Sequence, residues 1–145
     1  MEFLLYLSPE VRDIFILIKN RINFVENTQI CREERIYGMY DSEKKLMTIC
    51  TDRIKKSGNT AYYINETILH ESVHYAQSCK SFLGRKIVPF WISKSLMPLS
   101  ERRKKDMKRS FSNLPKNLEK QVEHEALWME DKPEKVNYVI RKFCF

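Results

Sequence analysis

The chain has 145 residues, 43% hydrophobic and 12% aromatic, which is enough to bury a substantial core without help from disulfides. No apolar run approaches the roughly 18 to 20 residues of a membrane span, which excludes a spanning helix. The opening Met-Glu-Phe-Leu-Leu-Tyr-Leu carries an acid where a signal peptide needs a basic region, so the expected address is cytoplasmic.

In chain order, Ser8-Pro9-Glu10 is a good helix start, and Val11, Ile14, Phe15, Ile18 and Ile22 make the apolar face of a helix ending near Asn23. Residues Thr28 to Cys31, Arg35 to Tyr40 and Lys45 to Cys50 read as strands. The last two form a hairpin around Asp41-Ser42-Glu43-Lys44. The next helix has Asn65 or Thr67 as its N-cap and Glu66 in its first turn; it runs to about Ser81, with Gly84 as its stop. Leu69, Val73 and Ala76 are its buried stripe, and His70, His74 and Gln77 share the adjoining strip.

This helix carries His70-Glu71-Ser72-Val73-His74, an H-E-x-x-H motif that uses two of the three histidines. At 3.6 residues per turn, positions i and i+4 project from one face, so both imidazoles can reach one Zn²⁺ at about 2 Å. A carboxylate one residue along can take a proton from a water on that ion. The plain alternative is a pair of ordinary, partly buried histidines bonded to backbone.

Beyond the motif, Ile87 to Ile92, interrupted by Pro89 and containing Trp91, reads as an irregular apolar segment, either a short edge strand or a cleft wall, with core packing the commoner use of such residues. Glu101 to Arg109 concentrates much of the net charge of +7. A solvated helical face is the first reading of this run, and a patch for an acidic partner or nucleic acid the second. A further helix has Pro115 near its first turn and Leu118, Val122, Ala126 and Met129 along one face. Glu119, Glu123 and Glu130 flank that face on one side and Glu125 on the other, while His124 points away. For any one of these carboxylates, a solvated neighbour of the core is the default reading. Asp131-Lys132-Pro133 ends this helix and starts a last one with Val136, Val139, Ile140 and Phe143 inward. Cys31, Cys50, Cys79 and Cys144 lack C-x-x-C spacing and sit in apolar or helical contexts, so they read as buried free thiols. There is neither a repeat nor a low-complexity linker, so residues 1–145 form a single α+β domain with a small antiparallel or mixed sheet.

With His70, Glu71 and His74, and with Glu123-His124-Glu125-Ala126 matching an E-x-x-A pattern, the chain resembles the zincin metallopeptidases. Within them it is similar to the gluzincin-like group and, in size, to the single-domain minigluzincins. The resemblance implies a zincin-like fold and one catalytic Zn²⁺ held by His70, His74 and Glu123, with Glu71 as general base in the hydrolysis of a peptide or protein substrate. It also implies that a strand of the sheet borders the cleft and pairs with extended substrate. The helical wheel by itself places Glu125 about as well as Glu123, with His124 behind both. An oxyanion donor is expected among Tyr62, Tyr63, Tyr75 and Tyr138, with no spacing to choose between them. The non-enzymatic alternative is a basic binding module on the same scaffold, contacting nucleic acid or an acidic protein through Arg102 to Arg109. A further alternative is a helical interaction domain in which the motif is accidental.

Overall fold

The computed structural model describes residues 1–110 and 117–145, and over these the chain is mixed α+β. Helix α1 (Pro9–Ile18) opens as the sequence indicates, with the Ser8 hydroxyl accepting from Val11 N at 3.3 Å. It ends several residues before Asn23, because Lys19-Asn20-Arg21 turns the chain into strand β1 (Asn23–Glu26), which the helical period had hidden. Ile22 stays buried in that turn. Residues 29–33 are a short helix, α2 (Gln29–Glu33), so the strand expected at Thr28 to Cys31 is corrected: a one-turn helix buries Cys31 as well as a strand would. Strand β2 (Gly38–Asp41) starts three residues later than expected and pairs antiparallel with β3 (Leu46–Ile49) around the foreseen turn. Since β1 runs parallel to β3, the sheet is mixed in the order β1-β3-β2, and among the described residues β2 keeps one free edge.

Helix α3 (Thr51–Lys55) leads into the long α4 (Thr60–Ser78), whose N-cap is Asn59 rather than Asn65 or Thr67. Asn65 has a tertiary role instead: its amide oxygen accepts from Ser8 N at 2.9 Å and its amide nitrogen donates to Tyr6 O at 3.0 Å, tying α4 to the start of α1. Leu69, Val73 and Ala76 are buried as expected. Helices α5 (Glu101–Ser110), α6 (Asn117–Met129) and α7 (Pro133–Cys144) follow; α6 and α7 pack on α4, and α5 on α6. Val136, Val139 and Ile140 are the buried face of α7, with Phe143 packed beside them. The Pro115 reading lies outside the described residues. One apolar core runs from Phe3 through the sheet and α4 to Ile140. Among the described residues no helix is long and apolar enough to cross a membrane.

The cysteines are paired rather than free, which corrects the thiol reading: Cys31 bonds Cys50 and Cys79 bonds Cys144. Both pairs join residues far apart in sequence, so spacing alone could not reveal them. The second closes a separation of 65 residues and fastens the end of α7 to the end of α4, removing roughly 4 kcal/mol of loop entropy from the unfolded chain in the chain-entropy view.

Candidate metal centre

Helix α4 presents His70, Glu71 and His74 to a cleft of about 580 Å³ between β2 and α6. From α6, Glu123 reaches across: its carboxylate oxygens lie 3.0 Å from His70 Nε2 and 3.4 Å from His74 Nε2. One ligand atom from each of these three residues falls within 4.8 Å of the others. A tetrahedral ion about 2.1 Å from each ligand needs ligand separations of about 3.4 Å, so the group suits a Zn²⁺ of the His₂Glu type.

The far side of each imidazole supports the same chemistry. His70 Nδ1 meets Glu130 Oε1 at 2.9 Å, and His74 Nδ1 meets Gln77 Oε1 at 2.8 Å. The Gln77 amide nitrogen donates to Val122 O and to Glu125 Oε1, so its oxygen is left to accept. His74 Nδ1 therefore donates to Gln77, and its Nε2 faces Glu123. Partners of this kind fix the ring and tautomer of a metal-binding histidine. Burial pulls the pKa of His70 down, but Glu123, Glu130 and Glu71 outweigh it and hold it well above the ordinary value. His74 is likewise raised against burial by Glu123 and Glu71. Burial would lift the Glu123 carboxyl, yet the two imidazoles hold it well below the usual range. The Glu123 carboxylate and each imidazole stabilise one another's charge, while the two imidazoles oppose each other's.

Glu71 is 8% exposed and lines the same cleft; among the described residues it has no hydrogen-bond or ion-pair partner. Its approach to the sheet depends on Gly38, where an added Cβ would stand 2.5 Å from Thr67 Cγ2, 3.0 Å from Thr48 O and 3.5 Å from Glu71 Cγ.

The other carboxylates of α6 have different tasks. Glu125 is fully buried and accepts from Gln77, Gln121, Phe90 N and Ile92 N, so the Ile87 to Ile92 segment is no strand: its backbone is pinned to α6, Ile87, Phe90 and Ile92 pack on the core, and Ile87 lines the cleft. The solvated default is thus wrong for Glu125, and also for Glu130, which is 4% exposed. His124 bonds Met97 O at 2.8 Å, away from the cleft. Glu119 lines the cleft mouth. None of Tyr62, Tyr63, Tyr75 and Tyr138 lines the cleft; Tyr37 and Tyr40 do. Sequence reasoning missed both: Tyr37 immediately precedes β2 and Tyr40 lies on it, and their signal was this place on the segment facing the motif.

The basic run is not a uniformly solvated face. Arg103 is buried, donating from Nε to Glu130 at 3.0 Å and from a terminal nitrogen to Glu66 at 3.0 Å. Arg102 pairs with Glu66 at 2.6 Å. Burial, with Glu130 adding, raises the Glu66 carboxyl above its ordinary value against the pull of Arg102.

No curated protein and no solved structure matches the chain. The family model described as Domain of unknown function (DUF8637) matches residues 3–145, and the chain belongs to that family.

Proposed function

We propose that this chain is a zincin-like metallopeptidase in which His70, His74 and Glu123 hold one Zn²⁺ and Glu71 is the general base. The observation that carries the reading is the convergence of those three ligands beside an unpartnered Glu71 in a cleft bordered by a free strand edge. The chemistry the ion supplies when bound is Lewis acidity toward a water and a carbonyl oxygen.

The chain's own residues account for the rest. Glu130 and Gln77 hold the Nδ1 side of the two imidazoles, so that both Nε2 atoms face Glu123. The β2 edge offers main-chain groups to an extended peptide and sets its carbonyl over the cleft. As the water oxygen bonds to the carbonyl carbon, a Glu71 oxygen takes its proton; as the C–N bond breaks, Glu71 returns that proton to the departing amine.

Glu71→Gln separates enzyme from scaffold. The variant is expected to fold and to keep zinc by metal analysis, since Glu71 is not a ligand, while peptide cleavage falls by a factor on the order of 100 or more. Unchanged cleavage would remove Glu71 from the mechanism. Stoichiometric zinc without cleavage of any peptide by the wild type would leave a basic binding module as the reading.

A further inference from the structure

Beside the metal cleft lies a second cavity of about 540 Å³, lined by four arginines from three different parts of the chain. Arg35 comes from the loop between α2 and β2, Arg53 from α3, and Arg102 and Arg109 from α5. Two carboxylates share the cavity, Glu66 and Asp106, so positive charge is in excess. Glu66 is already engaged by Arg102 and Arg103. Among the described residues Arg35, Arg53 and Arg109 have no carboxylate partner, and Arg53 Nε is buried without any hydrogen-bond partner. The other end of that guanidinium donates to Cys31 O at 2.9 Å, so the group is held in place by the backbone at the Cys31–Cys50 disulfide. A guanidinium held in place by backbone, among further guanidinium groups without carboxylate partners among the described residues, is a site for a planar anion.

The two cavities adjoin. Tyr37 and Glu66 line both. Following the chain backward from Tyr40 through Gly38 to Ile36 traces the wall of the metal cleft, and the next residue, Arg35, lines the arginine cavity. A peptide extended along the free edge of β2 advances about 3.3 Å per residue. It therefore delivers a side chain into the arginines within a few residues of the cleft centre.

We infer that the arginine cavity is a specificity subsite for an Asp or Glu side chain of a peptide lying in the metal cleft. The inference rests on the peptidase reading for the identity of the ligand, though not for the existence of the anion site. A peptide suits the site better than a nucleic acid. The rings of Tyr37 and Tyr63 meet at a tilt at 5.3 Å, and Tyr62 sits edge-on to Tyr63 at 5.1 Å, so they do not form a row of parallel faces on which successive bases could stack. The arginines also converge on a pocket instead of tracking along a strip, and a polyphosphate would meet Asp106 at its rim.

The test measures binding and cleavage separately. Binding uses full-length Glu71→Gln protein loaded with zinc and, at moderate ionic strength, three fluorescent probes: a Glu-containing peptide, the same peptide with Gln, and a single-stranded oligonucleotide of equal length. The acidic peptide is expected to bind about 10-fold more tightly than its amide counterpart. That ratio is expected to fall toward one in Arg53→Gln and in Arg35→Gln, and to stay in Lys135→Gln, which removes an exposed charge from α7. Arg35 is exposed, so its variant reads the pocket even where Arg53→Gln unfolds. Equal binding of the two peptides, or tighter oligonucleotide binding that depends on the same arginines, overturns the proposal. Wild-type cleavage of a peptide library is expected to enrich Asp and Glu at one fixed position from the cut. Cleavage with no acidic preference overturns the subsite and leaves the peptidase standing, whereas acidic-peptide preference without cleavage of any peptide overturns the peptidase and leaves the anion site.

Discussion

Arg103 and Glu130 form a buried ion pair directly behind His70: Arg103 Nε donates to one oxygen of Glu130 at 3.0 Å, and the other oxygen meets His70 Nδ1 at 2.9 Å. The basic helix α5 thus reaches His70 through the Glu130 carboxylate. Removing Arg103 leaves a carboxylate that is 4% exposed with Arg102, at 3.6 Å, as its remaining arginine partner, and breaking a buried pair from one side typically costs about 3–5 kcal/mol. Glu130→Gln is the gentler probe, because the amide keeps the shape and loses the charge. We expect it to weaken zinc binding about 10-fold, the usual scale for a group that orients a ligand. Competition against a chromophoric chelator measures this, and wild-type affinity in Glu130→Gln would show that the carboxylate does not steer His70.

Glu123 and Glu125 sit two residues apart on α6, about 200° around the helix, and so face different surroundings. Glu123 approaches both imidazoles, while Glu125 holds the backbone of Phe90 and Ile92. Glu123→Ala is accordingly expected to lower zinc affinity by a factor on the order of 10 or more with little loss of stability. Glu125→Ala should do the reverse, leaving affinity within a few-fold while destabilising the fold by about 1–3 kcal/mol, since four donors lose their acceptor. Urea unfolding of the metal-loaded and chelated proteins separates the two effects. A large affinity loss confined to Glu125→Ala would move the third ligand to that residue.

The residues that periodicity can reach were readable in advance, and the ones that depend on distant partners were not. Val73 and Ala76 on α4 and Val136 and Ile140 on α7 repeat at helical spacing because one face of each helix must be buried, so their burial follows from the sequence. The same period carried the first helix too far, since Ile22 falls in step with Ile18 yet is buried from a turn. Asn65 has the composition of a cap but bonds the α1 entrance; Cys31 has an apolar context but bonds Cys50. In each case the local signal was real and a partner tens of residues away decided its use. At the candidate site, His70, Glu71 and His74 are legible because one helix turn fixes their spacing. Glu130, Gln77 and Arg103 are not, since their roles appear only when α5 and α6 pack against α4.

Tyr40 carries a pH dependence of the fold. Burial pushes its phenol up to about 12, with Tyr75 and Asp41 adding to the rise and Ser78, near the hydroxyl but not in hydrogen-bond geometry with it, opposing. The unfolded phenol ionises near 10. Below that value Tyr40 is neutral in both states and its contribution is fully present. As pH rises from 10 through 12 the unfolded chain alone loses the proton, and stability falls by an amount on the order of 2–3 kcal/mol. Urea midpoints across this range are expected to drop more steeply in the wild type than in Tyr40→Phe. Parallel slopes would show that the phenol is not held neutral by the fold.

Gly38 sits where strand β2 comes closest to the motif helix, and the reason is space rather than backbone freedom. An added methyl would stand 2.5 Å from Thr67 Cγ2 and 3.0 Å from Thr48 O. The first neighbour is a β-branched side chain with little rotamer freedom in a helix, and the second is backbone, so neither gives way easily. Gly38→Ala must therefore lift β2 from α4, with an expected loss of about 1–3 kcal/mol. The strain should show as coupling. Thr67→Ser removes the contacting methyl and is expected to recover part of that loss in the double variant, while the contact with Thr48 O keeps the recovery incomplete. Since Glu71 Cγ lies 3.5 Å from the same point, the displaced strand also changes the wall opposite the proposed base, and cleavage by folded Gly38→Ala protein should fall even below its unfolding midpoint. Strict additivity of the two substitutions in urea unfolding, together with unchanged cleavage, would show that β2 does not depend on this close approach.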